Sequence, residues 1–187
     1  MQTVLVSVLL SLVTPVFDGS TTWVAEGRVR GQRQPVELQR IPFRDRGQHS
    51  LWMNSEAVPA FIDLVEAANS AGFHIRLNSA YRTYAHQRRL WLKMPGIAGD
   101  PNHGGTHTHQ TGYSIDIDGT QLKFVNSYIN QWEKRNRKKM DLAHCDKHSW
   151  GYKCPTQLYW WLRKNAKRYG FINDVKSERW HWTYKDL

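Results

Sequence analysis

Residues 107–118 read HTHQTGYSIDID, and this stretch decides how the fold is interpreted. It places two histidines and two aspartates, residue types that bind metal ions, around Gly112. The segment 113–117 is predicted to be a strand. His109 would then lie on a loop and Asp116 on the strand that follows, with both side chains facing one ion. Gly112 permits the tight backbone that this arrangement needs.

The pattern leaves the choice of ligands open at this point. Side chains two positions apart on a strand point to the same face, so Asp116 and Asp118 fit equally well. Periodicity also does not select His109 over His107 or His103. Taken alone, the stretch predicts a metal site without fixing its ligands.

A second stretch, ERWHW at 178–182, supplies a further histidine and a carboxylate. Positions three apart on a strand point to opposite faces, so Glu178 and His181 are predicted to lie in a turn or an irregular strand start. There His181 can bind a metal ion while Glu178 reaches a bound water. The sequence has no HExxH motif, so the helical arrangement of many zinc peptidases is not available to it.

These residues match the requirements of a catalytic zinc site. Such a site takes three protein ligands from His, Asp, Glu or Cys and leaves one position for water. A carboxylate beside the metal, but not bound to it, then takes a proton. Two imidazoles and one carboxylate favour a single Zn²⁺ ion.

The rest of the sequence mixes helices and strands without a regular βαβ alternation. Helices are predicted at 55–71, from about 83, and at 156–169. Strands are predicted at 73–77, 113–117, 171–172 and 180–182, and an irregular extension with a short hairpin at 19–50. The predicted fold class is α+β, with helices packed on a small antiparallel sheet that carries the zinc site.

The composition fits a single domain with a sizeable hydrophobic core and an excess of basic residues. The chain has 187 residues, of which 40% are hydrophobic, and this suits a single domain. No segment approaches the roughly 20 apolar residues that a membrane helix needs, so we expect no stable membrane span. The formal charge of +10 predicts attraction to polyanions, either nucleic acid or anionic polymers of a cell wall or envelope. The basic run at 134–139 is interpreted as a solvated helix face.

The N-terminal segment 1–20 is either a signal peptide or an apolar strand. Residues 4–13 have the length and apolarity of a signal-peptide core, but no Lys or Arg precedes them. We therefore divide the chain into this segment, an N-terminal extension at 21–54 and a domain at 55–187 that carries the predicted metal site.

Two cysteines, Cys145 and Cys154, lie in HCDKHSWGYKC. A disulfide between them would suit an oxidising compartment. The alternatives are two free thiols or a zinc site with His144 and His148, whose spacing matches no standard zinc finger.

Four blocks in a fixed order resemble the LAS zinc peptidases, most closely their VanY-type D-alanyl-D-alanine carboxypeptidase branch. They are SAYRTYAHQ (79–87), HTHQTGYSIDI (107–117), WLRKNAKRYGF (161–171) and ERWHW (178–182). The resemblance covers roughly residues 55–187, and the combination is far more specific than any single block.

The resemblance implies a role for individual residues. It implies His109, Asp116 and His181 as zinc ligands and Glu178 as the catalytic base. Arg82 would bind the carbonyl or carboxylate of the substrate, which suits the bidentate, permanently charged guanidinium. Gln87 would contact the substrate or support Arg82.

The sequence departs from the family pattern at three positions. His107 replaces a serine two residues before the first ligand, and Ser114 replaces an alanine two residues before the aspartate. Both are predicted to contact the substrate and to alter specificity. Thr183 stands where an arginine is common. The other histidines are expected to be surface or structural: His49, His74, His86, His103, His144 and His148.

The implied function is hydrolysis of peptidoglycan stem peptides, with removal of terminal D-Ala by a D,D-carboxypeptidase. Glu178 would take the proton of the attacking water, and Arg82 would stabilise the oxyanion. The first alternative is an endopeptidase that cuts L-Ala–D-Glu or a cross-bridge, as a phage endolysin does. A non-catalytic zinc-binding or wall-binding module and a metal-dependent nuclease rank lower, and we expect no specific nucleic acid binding. The substrate implies a periplasmic or secreted enzyme, or a phage-delivered lysin.

Overall fold

The computed structural model describes residues 21–29, 32–95, 98–102, 109–118, 134–135, 156–175 and 178–186. Several predictions lie outside these residues: the apolar segment 1–20, the role of His107, the state of Cys145 and Cys154, and most of the basic run. The strands are β1 (Thr22–Val29), β2 (Gln32–Arg44), β3 (Ser50–Asn54), β4 (Leu77–Ser79), β5 (Ser114–Ile117), β6 (Phe171–Ile172) and β7 (His181–Tyr184). The helices are α1 (Val58–Ser70), α2 (Tyr84–Lys93) and α3 (Thr156–Asn165), with 3₁₀ turns at Ser55–Ala57, His109–Thr111 and Ala166–Tyr169.

The described strands form two antiparallel sheets. The first has three strands in the order β1-β2-β3, and the second has four in the order β4-β5-β7-β6. Strand β5 therefore lies inside the second sheet, between β4 and β7. Helices and antiparallel sheets in this combination confirm the predicted α+β class. The limits drawn between extension and peptidase domain remain a prediction.

The predicted helices are present, and their ends have clear physical causes. The Asn54 side chain accepts a hydrogen bond from the Glu56 backbone N–H, so the segment opens as a 3₁₀ turn before α1. Gly72, with φ of 81°, ends α1. The Thr83 side chain caps α2 by accepting from the His86 N–H. Gly170 closes the third helical segment at φ of 74°.

The strand predicted at 73–77 is wrong in its position. The Phe73 N–H still bonds the Ala68 carbonyl, so this residue completes the end of α1. Ile75 is buried in the core without pairing to a strand, and pairing begins only at Leu77, opposite Ile117. The hydrophobic alternation thus predicted the buried residues correctly. The backbone at the start of this segment, however, completes the end of α1 instead of forming a strand.

The N-terminal hairpin is much longer than the short one predicted. Strands β1 and β2 pair over eight consecutive positions, from Thr22–Gln39 to Val29–Gln32. Pro35 lies where β2 pairs with β1 alone, because pairing of β2 to β3 begins at Leu38. Its missing N–H is therefore tolerated.

One main hydrophobic core joins both sheets to the helices. It takes large buried side chains from the first sheet, from α1, from the second sheet and from the third helical segment. Its largest members include Met53, Phe61, Ile115, Phe171 and Trp182. Side chains of α1, β5 and β7 therefore meet in one core. Among the described residues, no helix is long and apolar enough to cross a membrane.

Gly112 connects the two sheets at a point of very close approach. Its φ is 76°, and its carbonyl accepts a hydrogen bond of 2.9 Å from the Asn54 N–H. A Cβ atom on Gly112 would lie 2.7 Å from the Asn54 nitrogen and 2.7 Å from a Leu38 methyl carbon. The position therefore requires glycine both for its backbone conformation and for space.

We predict that Gly112→Ala lowers the free energy of unfolding by about 2–5 kcal/mol, from left-handed backbone strain and overpacking together. Gly72→Ala is the matched control, because it has a similar φ but no atom within 4 Å of the added Cβ. It should cost only about 1–2 kcal/mol. Urea denaturation of both variants measures the difference, and equal losses would contradict the close packing described here.

Candidate metal centre

The register of the second sheet brings Asp116 next to His181. These residues are direct partners in the pairing of β5 with β7, and Asp116 also pairs with Ser79 on β4. Side chains of directly paired residues lie on one face within about 5 Å at Cβ. The Asp116 Oδ1 is accordingly 3.2 Å from the Nδ1 of His181.

His109 reaches the same carboxylate from the 3₁₀ turn that precedes β5. Its Nε2 lies 3.2 Å from the Asp116 Oδ1. Two backbone bonds fix the ring: the His109 carbonyl accepts from the Arg82 N–H at 3.0 Å, and the His109 Nδ1 lies 2.5 Å from the Ala80 carbonyl oxygen. Since a carbonyl only accepts, the Nδ1 carries the proton.

That proton position leaves a lone pair on the His109 Nε2. This nitrogen is buried and has no hydrogen-bond partner. It faces the Asp116 carboxylate, which also offers only lone pairs when ionised. Two lone pairs that face each other at 3.2 Å inside a protein repel, and a metal cation bound between them would remove that repulsion.

The three side chains together fit a metal ion. All three residues are buried, and one ligand atom from each lies within 4.8 Å of the other two. A tetrahedral zinc ion with bonds of about 2.0–2.1 Å would space its nitrogen and oxygen ligands about 3.3 Å apart. The two 3.2 Å distances from the Asp116 Oδ1 match that spacing. His109, Asp116 and His181 can therefore hold one metal ion, and their assignment as zinc ligands stays a prediction.

The protonation states also suit metal binding. Burial lowers the pKa of His109, and the Arg82 charge lowers it further, while Asp116 acts in the opposite direction. The imidazole is thus neutral at pH 7. Burial alone would raise the pKa of Asp116, but its polar surroundings, with the Arg82 guanidinium among them, hold that pKa well below its usual range. A neutral imidazole beside an ionised carboxylate is the state that metal binding requires.

Arg82 bridges the second oxygen of the metal-ligand carboxylate to α2. Its Nη2 donates to the Asp116 Oδ2, and its Nε donates to the Ser79 hydroxyl at 2.8 Å. The Nη1 donates to the Gln87 side-chain oxygen at 3.4 Å, and the Gln87 Nε2 donates to the Gly99 carbonyl at 2.9 Å. Arg82 therefore orients Asp116, and Gln87 in turn holds Arg82.

Glu178 lies at the start of a tight turn that ends at His181. The His181 N–H bonds the Glu178 carbonyl at 3.0 Å, so the two residues occupy a turn and a strand start as predicted. The Asn173 side chain donates to the carbonyls of both Glu178 and His181, at 2.8 and 2.7 Å. The Glu178 Oε2 is 3.9 Å from the His181 Nδ1, which places the carboxylate beside the ligand set.

A cleft of about 770 Å³ opens over the three ligands. One wall carries Arg82, His86 and Gln87 from α2 and its N-terminal turn, and the other carries Glu178 and Trp180. The Glu178 side chain is 32% exposed, whereas the three ligands are almost fully buried. The cleft thus gives a substrate access to the ligands and to Glu178 together.

Residues 50–187 match the family model of D-alanyl-D-alanine carboxypeptidase of the VanY type. The chain belongs to this family. Among curated proteins, none matches the sequence.

Solved structures similar to this VanY-family chain include two carboxypeptidases of the VanY type and one LD-carboxypeptidase. The LD-carboxypeptidase LdcB is 21% identical, with 82% of this chain and 70% of that chain covered and a TM-score of 0.52, and it supports the same fold. A mutant of the vancomycin resistance D,D-pentapeptidase VanY from a VanB-type cassette, in complex with Zn(II), is 21% identical (80% and 78% covered, TM-score 0.49). VanYB in complex with D-alanine-D-alanine is 20% identical (80% and 77% covered, TM-score 0.46).

Ser114 does not lie where a substrate contact was predicted. Its side chain is fully buried, and its hydroxyl lies 3.1 Å from that of Thr183. It does not line the cleft. The interpretation of Ser114 as substrate-binding is therefore corrected: because strand β5 turns this side chain into the protein, it can only support its neighbours.

Asp118 and the described non-ligand histidines lie apart from the metal centre. Asp118 forms ion pairs with Arg46 and Arg76 beyond the end of β5. His49 contacts Asp45 and His74 contacts Asn69, as expected of surface residues. His86 lines the cleft without joining the three ligands.

Sequence reasoning missed the residues that hold the ligands in place. These are the Ala80 carbonyl, the Ser79 hydroxyl, the Asn173 amide and the Thr183 hydroxyl. Ser79 and Ala80 lie inside the SAYR block, so the block itself was the available signal. Thr183 was visible as a departure from the family pattern, whereas nothing in the sequence marked Asn173.

We predict that Asp116→Asn abolishes stoichiometric binding of a divalent metal such as Zn²⁺, because the site loses its anionic ligand. Asp118→Asn is the matched control and should keep the metal, since that carboxylate pairs with arginines instead. Metal content after exhaustive dialysis, measured by mass spectrometry, checks both. Metal loss in Asp118→Asn with retention in Asp116→Asn would reverse the ligand assignment.

Proposed function

We propose that the protein is a zinc metallopeptidase that removes the terminal D-Ala from peptidoglycan stem peptides. The observation that carries this proposal is the unpartnered His109 Nε2, buried 3.2 Å from the Asp116 Oδ1 in a centre that Glu178 borders. When bound, a zinc ion supplies Lewis acidity, which makes water a better nucleophile and polarises the scissile carbonyl.

Glu178 acts as the general base in this proposal. A candidate base must lie within hydrogen-bond reach of the attacking water, in a site that substrate can enter. Glu178 is partly exposed to the cleft, and its Oε2 is 3.9 Å from the His181 Nδ1. From there it can accept a proton from water and later donate it to the leaving amine. The Asn173 clamp on both ends of the turn holds the carboxylate at that distance.

Arg82 binds the oxygen on which negative charge develops. Its guanidinium lies in the cleft wall, and its Nη1 is tied only loosely, at 3.4 Å, to Gln87. A preorganised, permanently charged donor lowers the energy of an oxyanion most effectively where water is excluded. Arg82 is 16% exposed at its side chain, so it can reach the substrate while keeping its bond to Asp116.

The substrate class follows from the family and from charge. Membership of the VanY family supports a peptidoglycan-directed D,D-carboxypeptidase. The formal charge of +10 favours approach to an anionic wall. Because peptidoglycan lies outside the cytoplasm, we place the protein in the periplasm or the secreted fraction, or among phage-delivered lysins. Zinc peptidase function is assigned to residues 55–187, with 21–54 as an N-terminal extension.

The first experiment identifies the bond that is cut. Purified muropeptides that end in D-Ala–D-Ala are incubated with the zinc-loaded protein and, in parallel, with a chelator. Mass spectrometry should show loss of one terminal D-Ala, and the chelator should stop it. Cleavage inside the stem or the cross-bridge would select the endopeptidase alternative. Cleavage of plasmid DNA in place of muropeptides would select the nuclease.

We predict that Glu178→Gln lowers kcat by about 10²–10⁴-fold, because the amide cannot take the proton of the attacking water. The zinc content should stay unchanged, since Glu178 is not a ligand. Glu66→Gln, an exposed change on α1 outside the cleft, is the control and should leave the rate unchanged. A Glu178→Gln variant as fast as the wild type would refute the mechanism.

We predict that Arg82→Lys lowers kcat by up to about 10²-fold, because lysine keeps the charge but loses the planar donor set. Arg88→Lys on α2, outside the cleft, is the control and should behave as the wild type. Steady-state kinetics on a D-Ala–D-Ala muropeptide measures both. Equal rates for Arg82→Lys and the wild type would show that Arg82 serves only to hold Asp116.

A further inference from the structure

A chain of buried polar groups extends from His181 away from the cleft. The His181 Nε2 lies 3.2 Å from the Thr183 hydroxyl, and that hydroxyl donates to the Asp174 Oδ1 at 3.0 Å. The Ser114 hydroxyl lies 3.1 Å from the same Thr183 oxygen. Thr183 is 1% exposed and Ser114 is fully buried, so water does not replace these contacts.

The hydrogen-bond capacities of these groups permit one arrangement of protons. Thr183 has a single hydroxyl proton, which goes to the Asp174 carboxylate, an acceptor without protons of its own. Its two lone pairs then accept from the Ser114 hydroxyl and from the His181 Nε2–H. The His181 proton is thereby fixed on Nε2. A neutral imidazole carries one ring proton, so in that state the Nδ1 that faces Asp116 keeps its lone pair for a metal ion.

Asp174 is itself held in position. Its side chain is only 11% exposed, and its Oδ2 lies 3.2 Å from the Lys185 Nζ. It follows Asn173, whose amide clamps the turn that contains Glu178 and His181. The short segment after β6 therefore fixes both the backbone of the metal ligand and, through Thr183, its imidazole ring.

The two hydroxyl residues in this chain are the described departures from the family pattern. Ser114 replaces an alanine and Thr183 stands where an arginine is common, and the structure places their hydroxyls against each other. Neither hydroxyl reaches the cleft, so the pair does not serve substrate contact.

We propose that Thr183 is a positioning residue that links the Asp174 carboxylate to the His181 imidazole. It fixes the proton of that ring on Nε2 and so strengthens metal binding through Nδ1. The inference rests on the zinc site proposed above. Partners that orient a ligating histidine raise its basicity, and their loss commonly weakens metal affinity by about 10–100-fold. Ser114 supports the same hydroxyl from β5.

The test compares Thr183→Val with Thr183→Ser. Valine keeps the shape but removes the hydroxyl, whereas serine retains it. Zinc affinity is measured by competition with a chromophoric chelator. Thr183→Val should bind zinc about 10–100-fold more weakly, and Thr183→Ser should restore the affinity of the wild type. Equal zinc affinities for Thr183→Val and the wild type would overturn the proposal.

Two further measurements separate positioning from a loss of folding. Long-range ¹H–¹⁵N NMR of the zinc-loaded wild type should show His181 with its proton on Nε2, and a proton on Nδ1 would overturn the proposal. Asp174→Asn keeps an acceptor for Thr183 but removes the charge. It should weaken zinc binding less than Thr183→Val. An unchanged zinc affinity in Asp174→Asn would overturn the part of the proposal that gives the Asp174 charge a role.

The outcomes also separate this inference from the proposed function. A wild-type protein that binds no zinc would remove the metal site itself. A wild type that binds zinc tightly, with Thr183→Val equally tight, would leave the metal site standing and reject the role of Thr183. Circular dichroism and thermal melting of each variant confirm that the compared proteins are folded.

Discussion

A buried carboxylate on an inner strand is the constraint on which the rest of the site depends. Asp116 lies between β4 and β7 with almost no exposure, and an uncompensated charge there would cost several kcal/mol. Each neighbouring element supplies part of the compensation. The β4 side brings Arg82 to one oxygen, while His109 and His181 face the other. Arg82 balances the charge electrically, but it leaves the lone pair of His109 without a partner.

The two oxygens of the Asp116 carboxylate therefore have different roles. The Oδ2 accepts from Arg82, whose guanidinium also donates to Ser79 and, at a longer distance, to Gln87. The Oδ1 and the two imidazoles converge on a point at the base of the cleft. A cation bound there therefore meets a fixed ligand set on one side and Glu178 with the substrate on the other.

The sequence pattern predicted histidine and aspartate ligands, but it did not show why Asp116 rather than Asp118 should be one of them. A period of two places Asp116 and Asp118 on the same face, so the pattern of one strand cannot separate them. The pairing register separates them, because Asp116 is opposite His181 while Asp118 lies beyond the strand end against Arg46 and Arg76. Register depends on a strand more than sixty residues away, and local periodicity holds no information about it.

Helices and turns were easier to predict than the supports of the site. Capping residues and the E-x-x-H spacing act over three or four positions, and the sequence shows them directly. Thr83, for example, caps the start of α2, and Gly170 ends the third helical segment. The Ala80 carbonyl and the Asn173 amide act across the tertiary structure, and nothing in their local sequence distinguishes them from ordinary loop groups.

The N-terminal hairpin shows how such supports extend past the region that carries the motifs. A Cβ atom on Gly27 would lie 2.6 Å from the Gln110 carbonyl oxygen, so the β1 backbone touches the turn that holds His109. Tyr81, the residue before Arg82, donates through its hydroxyl to the Glu26 carbonyl. Residues 22–29 precede the part of the chain that matches the family. Residues of β1 contact both the turn that contains His109 and the SAYR block. The hairpin therefore supports the position of the three ligands, although it contributes none of them.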